Sequence, residues 1–255
     1  MQLVFGAGDM YGVPLFDANG NAITNPTPIK IGAMQDMSLD FSGDLKELYG
    51  QNQFALASAR GKVKISGKIK GAQIHAAMLN SLFFGQTVTA GTMVSANSDL
   101  VGALIPATPF QITVVPPNTG TFVADLGVLD ANQVPMTAVA SAPAVGQYTV
   151  SGAGVYLFNT ADTGKKVFIN YSYTATISGS KKITVANMAM GAAPTFKAYM
   201  QTQYQGKRAL VVLYAAIASK LNLLSTKLDD FSIPELDFTA TADAANNVAD
   251  IYLSE

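Results

Sequence analysis

The sequence predicts a mainly β protein with one α-helix: a β-domain made of both ends of the chain, interrupted by a small inserted β-sandwich domain. Apolar and polar residues alternate along Ile31–Phe41 and Arg60–Lys70, a pattern typical of strands with one buried face. One short segment has helical spacing instead. The middle of the chain, from about 100 to 176, alternates short apolar segments with Pro and Gly turns, which indicates a separate small sandwich.

The composition is that of a chain that buries a core. Hydrophobic residues make up 49% of the 255 residues, and charged residues make up 13%, about half the ~25% of an ordinary domain. With a net charge of -1, the chain has little electrostatic repulsion between copies, which favours a surface covered by partners. The longest clean apolar run, Ala209–Ala218, is shorter than the ~20 residues of a membrane-spanning helix, so we expect no membrane insertion.

Catalytic and metal-binding motifs are missing from the sequence. It contains no Cys and one His, His75, which excludes thiolate catalysis and His-bridged or Cys-type zinc sites. The Gly-Lys steps do not stand in a phosphate-binding loop motif, and Asn19-Gly20 reads as a tight hairpin turn. We therefore expect no catalytic, cofactor-binding or metal-binding residues, and no enzyme.

The one helix is predicted over residues 72–84, between Gly71 and Gly85. Its apolar residues recur at three- and four-residue intervals: Ile74, Ala77, Met78, Leu82 and Phe83. We interpret Met78, Leu82 and Phe83 as core residues.

The remaining strands follow from apolar segments bounded by turns. In the middle they are Phe110–Val115, Thr121–Val123, Gln147–Ser151, Val155–Phe158 and Lys166–Thr174. Near the C-terminus they are Lys181–Ala189, Thr195–Tyr204 and Phe231–Thr241, with a break near Pro234. Ala209–Leu224 fits a buried strand or a short buried helix, with strand favoured by Val211, Val212 and Tyr214. The simplest organisation joins 1–97 and 178–255 into one domain, with 98–177 inserted.

Both ends of the chain, but not its middle, resemble a known family. The residues that carry the likeness are Gly32–Phe41, Leu45–Phe54 and Ala59–Ala72, with Phe5–Gly12 before them and Asp230–Ala240 and Ile251–Leu253 after them. In this order they resemble the tail tube (major tail) proteins of tailed bacteriophages. About two thirds of the chain shares the likeness, and simpler members lack the inserted segment.

The resemblance implies a structural virion protein whose subunit is a β-sandwich or partial barrel with one flanking α-helix. Such β-sandwich subunits form hexameric rings, whose strands join into an inner β-barrel, and the rings stack into the tail tube that conducts the genome into the host. The implied location is the virion tail, assembled in the host cytoplasm. The partner is the chain itself, with sheath, baseplate and tail terminator proteins as further candidates and DNA passing without specific binding.

Two charged sets are candidate assembly residues. The basic row on one face of the second strand consists of Arg60, Lys62, Lys64, Lys68 and Lys70. It is either a solvated face, or an assembly face that meets acids of a neighbour or lines the lumen. The complementary acidic or lumen candidates are Asp229, Asp230, Glu235, Asp237 and Asp243. Lysines neutralise phosphates, but a conduit that held DNA tightly would obstruct ejection, so we expect an acidic or mixed lumen.

Two further segments carry apolar residues suited to contacts between subunits. Ser42–Ser58 is predicted to be a long loop that stacks rings through Leu45, Leu48, Tyr49 and Phe54, unless these residues pack on their own sandwich. Met1–Pro28 is predicted to be an arm laid over an adjacent subunit, or else a disordered tail.

Two other classes stay open. The inserted domain also suits another virion structural protein, such as a capsid decoration or fibre protein. Its tyrosines also allow a carbohydrate-binding module or an enzyme.

Overall fold

The computed structural model describes residues 6–73, 75–226 and 228–254. Within them the chain is mainly β with one α-helix, which confirms the predicted fold class. The strands are β1 (Asp9–Phe16), β2 (Ile29–Ile31), β3 (Met34–Tyr49), β4 (Ala55–Gly71), β5 (Val88–Asn97), β6 (Ala103–Leu104), β7 (Gln111–Thr113), β8 (Thr121–Asp130), β9 (Thr137–Ala138), β10 (Gln147–Val150), β11 (Val155–Phe158), β12 (Lys166–Ile183), β13 (Thr195–Tyr204), β14 (Lys207–Asn222), β15 (Glu235–Thr241) and β16 (Ala249–Leu253). The helix α1 (Ala76–Leu79) continues into a π-helical turn, Asn80–Phe84.

Two compact units divide the chain. Met1–Val88 with Ile183–Glu255 form the first unit, and Thr89–Lys182 form the second. The boundaries predicted from the sequence, 98 and 177, lie inside the second unit. The chain enters this unit through β5 and leaves it through β12, and these two strands are hydrogen-bonded neighbours in one sheet.

The first unit is built on a sheet with the strand order β2-β1-β13-β14-β15-β4-β3. β14 pairs with β13 along one edge; along the other edge it pairs with β16 over Ala209–Leu213 and with β15 over Ala215–Asn222. The sheet therefore divides along β14 into two parts, one leading to β1 and β2 and the other leading to β4 and β3. The alternative of a short helix over 209–224 is excluded.

The core of the first unit lies where these two parts and the helix meet. Phe196 of β13 and Phe238 of β15 pack edge to face, with ring centroids 5.9 Å apart. Leu82 and Met78 cover them from the helical segment and are buried, as predicted. Phe83 is only partly buried. Full burial of each such side chain stabilises the fold by about 1.5–3 kcal/mol.

The helical segment is shorter than the predicted 72–84. The Ala72 N–H donates to the carbonyl of Ala33, which holds residue 72 at the end of the β3–β4 pair. The helix therefore begins at Ala76, and Ile74 lies outside the described residues. At its other end Gly85 adopts a φ of 62° and its N–H donates to Asn80, so glycine ends the helix as predicted.

The predicted N-terminal arm is wrong for residues 9–16. They form β1, which lies between β2 and β13 in the sheet of their own unit. Alternate residues of β1, Met10, Gly12 and Pro14, are buried, and this period-two pattern pins the strand to its own core. Residues 1–5 of the predicted arm lie outside the described part.

The C-terminal half departs from prediction at one strand. The predicted strand Lys181–Ala189 is only the end of β12, which stops at Ile183. Residues 184–189 take no regular structure. β13, β14 and β15 lie where strands were predicted.

The second unit is a small sandwich of two sheets. One has the order β7-β11-β10-β9, and the other joins β5, β12 and β6, with β8 also paired to β12. Its core is aromatic: Tyr148, Tyr156, Phe158 and Tyr171 are buried between the sheets. The Asp125 carboxylate accepts hydrogen bonds from the Tyr148 hydroxyl at 2.5 Å and the Tyr156 hydroxyl at 2.9 Å.

Candidate assembly surface

One element of the first unit that exposes many large apolar side chains is a β-hairpin. β3 and β4 pair antiparallel from Met34 opposite Gly71 to Tyr49 opposite Ala55. The predicted long loop Ser42–Ser58 is therefore wrong, because strand structure continues on both sides to a short turn at 50–54. The charges at Asp44, Lys46 and Glu47 interrupt the apolar alternation of β3, which is why the sequence pattern suggested a loop.

Both faces of this hairpin are open to solvent. Toward the core, β4 buries alternate residues, beginning at Ile65, whereas every residue from 55 to 64 is exposed. β3 is likewise exposed from Asp40 onward. Residues 42–64, called the hairpin below, therefore extend beyond their own core. A two-stranded ribbon with no core face is marginally stable by itself.

Large apolar side chains line the hairpin. Their exposed fractions lie between 57% and 84%, and they are Leu45, Leu48, Tyr49, Phe54, Leu56 and Val63. The first four were predicted as docking residues. Leu56 was missed, although the polar turn Gly50–Gln53 flanked by two strand-forming segments is a recognisable hairpin signal. Leu45 and Leu48 are three positions apart on β3, so the apolar side chains lie on both faces of the hairpin. Exposed apolar side chains concentrated on one element are typical of a protein-binding site.

A β-bulge divides the predicted basic row. Gly43 lies opposite Val63 and Leu45 lies opposite Arg60, so β4 has one residue more than β3 between these pairs. Lys64 lies opposite Ser42, and Ser42 is three positions from Leu45 on β3. Residues an odd number apart on a strand point to opposite faces. Arg60 therefore leaves the face that Lys64 occupies, which corrects the prediction of one continuous row. Its Cδ lies 3.4 Å from where a Cβ of Gly43 would be.

The lower part of the basic row is paired within the chain. Lys68 contacts the carboxylate of Glu235 on β15, and Lys70 lies 3.4 Å from Asp36 on β3. Lys220, which the sequence reading missed, lies 3.7 Å from Glu235. The hydrogen bond between Lys68 and Glu235 raises the pKa of the lysine and lowers the pKa of the carboxyl.

The predicted acidic set is divided in the same way. Glu235 and Asp237 lie on β15 and face cations of their own chain, with Asp237 4.0 Å from Lys220. Asp243 accepts backbone hydrogen bonds from Ala245 and Asn247 and so holds a turn. Asp229 and Asp230 precede β15 in a loop and make no ion pair within the described residues. The Asp230 carboxylate also accepts a hydrogen bond from the Phe231 N–H at 2.8 Å. These two carboxylates are therefore candidates to meet a cation of another molecule.

The upper part of the basic row is unpaired. Arg60, Lys62 and Lys64 make no ion pair with any residue that the structure describes. The hairpin holds four basic residues against two acidic ones, for a net charge of +2. Tyr49 donates a hydrogen bond to Glu47, which raises the pKa of the tyrosine. The hairpin thus combines an apolar surface with unneutralised positive charge.

The second unit contains a cavity of about 480 Å³. Its floor is apolar, with Ile105, Met136 and Val167, and its rim carries Asp130 and Lys166. The buried Asp162 beside it is already satisfied by the Gly146 N–H at 2.9 Å and by the Lys165 ammonium at 2.7 Å. No unsatisfied buried group in the described lining therefore points to a ligand.

Three further findings bear on function. Among the residues that the structure describes, no three His, Cys, Asp or Glu side chains cluster as metal ligands would. No helix in this part is long and apolar enough to span a membrane. Comparison with models of known protein families and with curated protein sequences finds no match.

Proposed function

We propose that the chain is a structural subunit that assembles with copies of itself into hexameric rings stacked as a bacteriophage tail tube, the conduit for genome delivery. The observation that carries this proposal is the hairpin, with both faces in solvent and six large apolar side chains exposed. An apolar element left in solvent adds no stability to an isolated monomer. A neighbouring copy that covered it would bury that apolar surface and add stability in proportion to the area.

The free sheet edges support the same proposal. β3 and β2 stand at the two ends of the main sheet order, so each offers one edge for pairing. Unpaired edges attract other strands, and pairing between subunits in a ring removes them. The family resemblance of both chain ends to tail tube proteins points in the same direction.

The charges of the sheet fit a conduit. On the outward face, Lys68, Lys70 and Lys220 are balanced by Glu235, Asp237 and Asp36 through ion pairs within the chain. Such a mixed face attracts a polyanion weakly, because its lysines already have partners. If this face lines the lumen, DNA would pass without specific binding, and no catalytic residue or cofactor is required.

The alternatives gain less support. Carbohydrate-binding surfaces expose aromatic rings, but Tyr148, Tyr156 and Tyr171 of the second unit are at most 5% exposed. A capsid decoration or fibre protein would use the second unit, yet the largest exposed apolar element of the first unit is the hairpin. The proposal also implies a location in the virion tail. It implies contacts with sheath, baseplate or tail terminator proteins as well.

Negative-stain electron microscopy of the purified chain over a concentration series tests the proposal. We expect hollow rings with sixfold end views at low concentration and stacked tubes at high concentration. A chain that stays monomeric at every concentration, and also in the presence of a preformed tube as a seed, would contradict it.

A further inference from the structure

The loop between β14 and β15 exposes large apolar side chains. Residues 223–234, called the distal loop below, contain Leu224, Leu228 and Phe231, which are 78%, 99% and 89% exposed. These fractions are as high as or higher than those of most hairpin residues, which lie between 57% and 84%. The distal loop also carries Asp229 and Asp230, which make no ion pair with any residue that the structure describes.

The hairpin and the distal loop lie at opposite ends of the same strand. Glu235, which follows the loop, lies opposite Lys70, and the Gly71 N–H donates to the Pro234 carbonyl at 3.2 Å. The hairpin turn begins at the other end of β4, before Ala55. β4 has 17 residues, so at ~3.3 Å per residue about 50 Å separates its two ends.

The charges of the two surfaces are opposite. The hairpin has a net charge of +2, from Lys46, Arg60, Lys62 and Lys64 against Asp44 and Glu47. The distal loop has a net charge of -1 in sequence, from Asp229 and Asp230 against Lys227. Opposite charge around two apolar centres favours association of these surfaces with each other over association of like with like.

We propose that the hairpin of one copy docks on the distal loop of the next copy. The hairpin tip lies about 50 Å along β4 from the distal loop, and Lys64, the hairpin residue nearest to that loop, is seven residues or about 23 Å from Gly71, so the hairpin tip of one molecule cannot reach its own distal loop. The contact is therefore between molecules and is heterologous, so each copy uses one surface upward and the other downward, and the assembly propagates in one direction. This inference rests on the proposed function and names the partner surface of the hairpin.

Disulfide trapping tests the contact directly, because the chain contains no Cys. The double variant Phe54→Cys with Leu228→Cys is assembled and oxidised, then run on a non-reducing gel. We expect a ladder of linked oligomers from the double variant and unlinked chains from each single variant. Phe54→Cys with Leu100→Cys is the matched control, because Leu100 of the second unit is 87% exposed, and it should give no ladder.

Charge exchange tests specificity. Asp229→Lys with Asp230→Lys reverses the net charge of the distal loop. Lys62→Glu with Lys64→Glu reverses the net charge of the hairpin. Each variant alone should fold, by circular dichroism, but should lose tube elongation at least tenfold. A mixture of the two should elongate again, because each reversed surface meets a complementary one. Lys181→Glu with Lys182→Glu, at exposed residues outside both surfaces, should elongate normally.

The outcomes separate this inference from the proposed function. Wild-type tubes without a ladder from the double cysteine variant, or linked dimers from Phe54→Cys alone, would overturn the head-to-tail contact and leave tube formation standing. Normal elongation of the Asp229→Lys, Asp230→Lys variant would overturn it too. Wild-type chain that never forms rings or tubes would overturn both.

Discussion

Gly67 lies directly opposite Phe238 across β4 and β15, and the Phe238 ring occupies the space that a side chain at residue 67 would need. A Cβ atom there would overlap ring atoms of Phe238. Phe238 in turn packs on Phe196 in the centre of the first unit. The missing side chain of Gly67 thus makes room for the main aromatic contact of the core.

We expect Gly67→Ala to destabilise the first unit by about 1–3 kcal/mol, because Phe238 must move from a packed position. Gly61→Ala on the same strand is the control, since its Cβ would be no closer than 3.4 Å to any neighbour. Urea unfolding of both variants measures the difference. Equal stability of the two variants would contradict the role given to Gly67.

The hairpin apolar residues should matter for assembly and not for folding. Leu48→Asn with Phe54→Asn changes two side chains that are 63% and 84% exposed, so the free energy of unfolding should stay within about 0.5 kcal/mol of wild type. Sedimentation velocity should show loss of rings and tubes. Leu213→Ala, in the core, should instead cost roughly 2–5 kcal/mol. Tubes of normal length from the double variant would argue against the hairpin as the assembly element.

The ion pair of Glu235 should make stability depend on pH at acid values. Lys68 holds the pKa of Glu235 below its ordinary value, so the pair stabilises the folded chain above the unfolded pKa of ~4.3. This contribution is lost as pH falls through the lowered folded pKa. Glu235→Gln should therefore be less stable than wild type at pH 7, and the difference should shrink toward pH 2.5. A difference that is the same at both pH values in urea unfolding would contradict this assignment.

Two tyrosines of the second unit donate hydrogen bonds to the same Asp125 carboxylate, so their contributions to the free energy of unfolding should be coupled. Burial, and then the hydrogen bonds to Asp125, raise the pKa of both Tyr148 and Tyr156. Tyr148→Phe or Tyr156→Phe should each cost about 1 kcal/mol, and Asp125→Ala should cost more, because it leaves two hydroxyls unpaired. Thermal unfolding of the single variants and the double tyrosine variant measures the coupling. Strict additivity of the two tyrosine changes would contradict the shared network.

Much of the fold could be predicted from local patterns. Period-two alternation placed β4 and β13, and Gly85 ended the helix where a glycine C-cap was expected. The apolar run of β14 was ambiguous by pattern alone, and its three strand partners resolved it. Leu45 and Phe54 were identified as exposed candidates because their segment was predicted to be a long loop; they are exposed, but on a hairpin.

The candidate surface was predicted less well, because it depends on register. The bulge near Gly43 turns Arg60 away from Lys64, and no local pattern in β4 signals one extra residue. The ion pair of Lys68 with Glu235 joins residues far apart in sequence, so alternation alone suggested a partner in another subunit. The exposure of Leu228 and Phe231 likewise follows from where β14 and β15 end.

The sequence by itself determined the class of this fold: strands, one short helix and a separable middle segment, in a chain with no Cys and one His. These features depend on composition and on the spacing of residues within one short segment, so they can be predicted without knowing how distant segments pack. Only the tertiary structure decided which side chains are left without partners. Pairing across β3, β4 and β15 neutralised Lys68, Lys70 and Glu235, and it left the hairpin and the distal loop exposed at opposite ends of one strand. Exposure and charge pairing are properties of register between distant segments, and register is fixed when those segments pack.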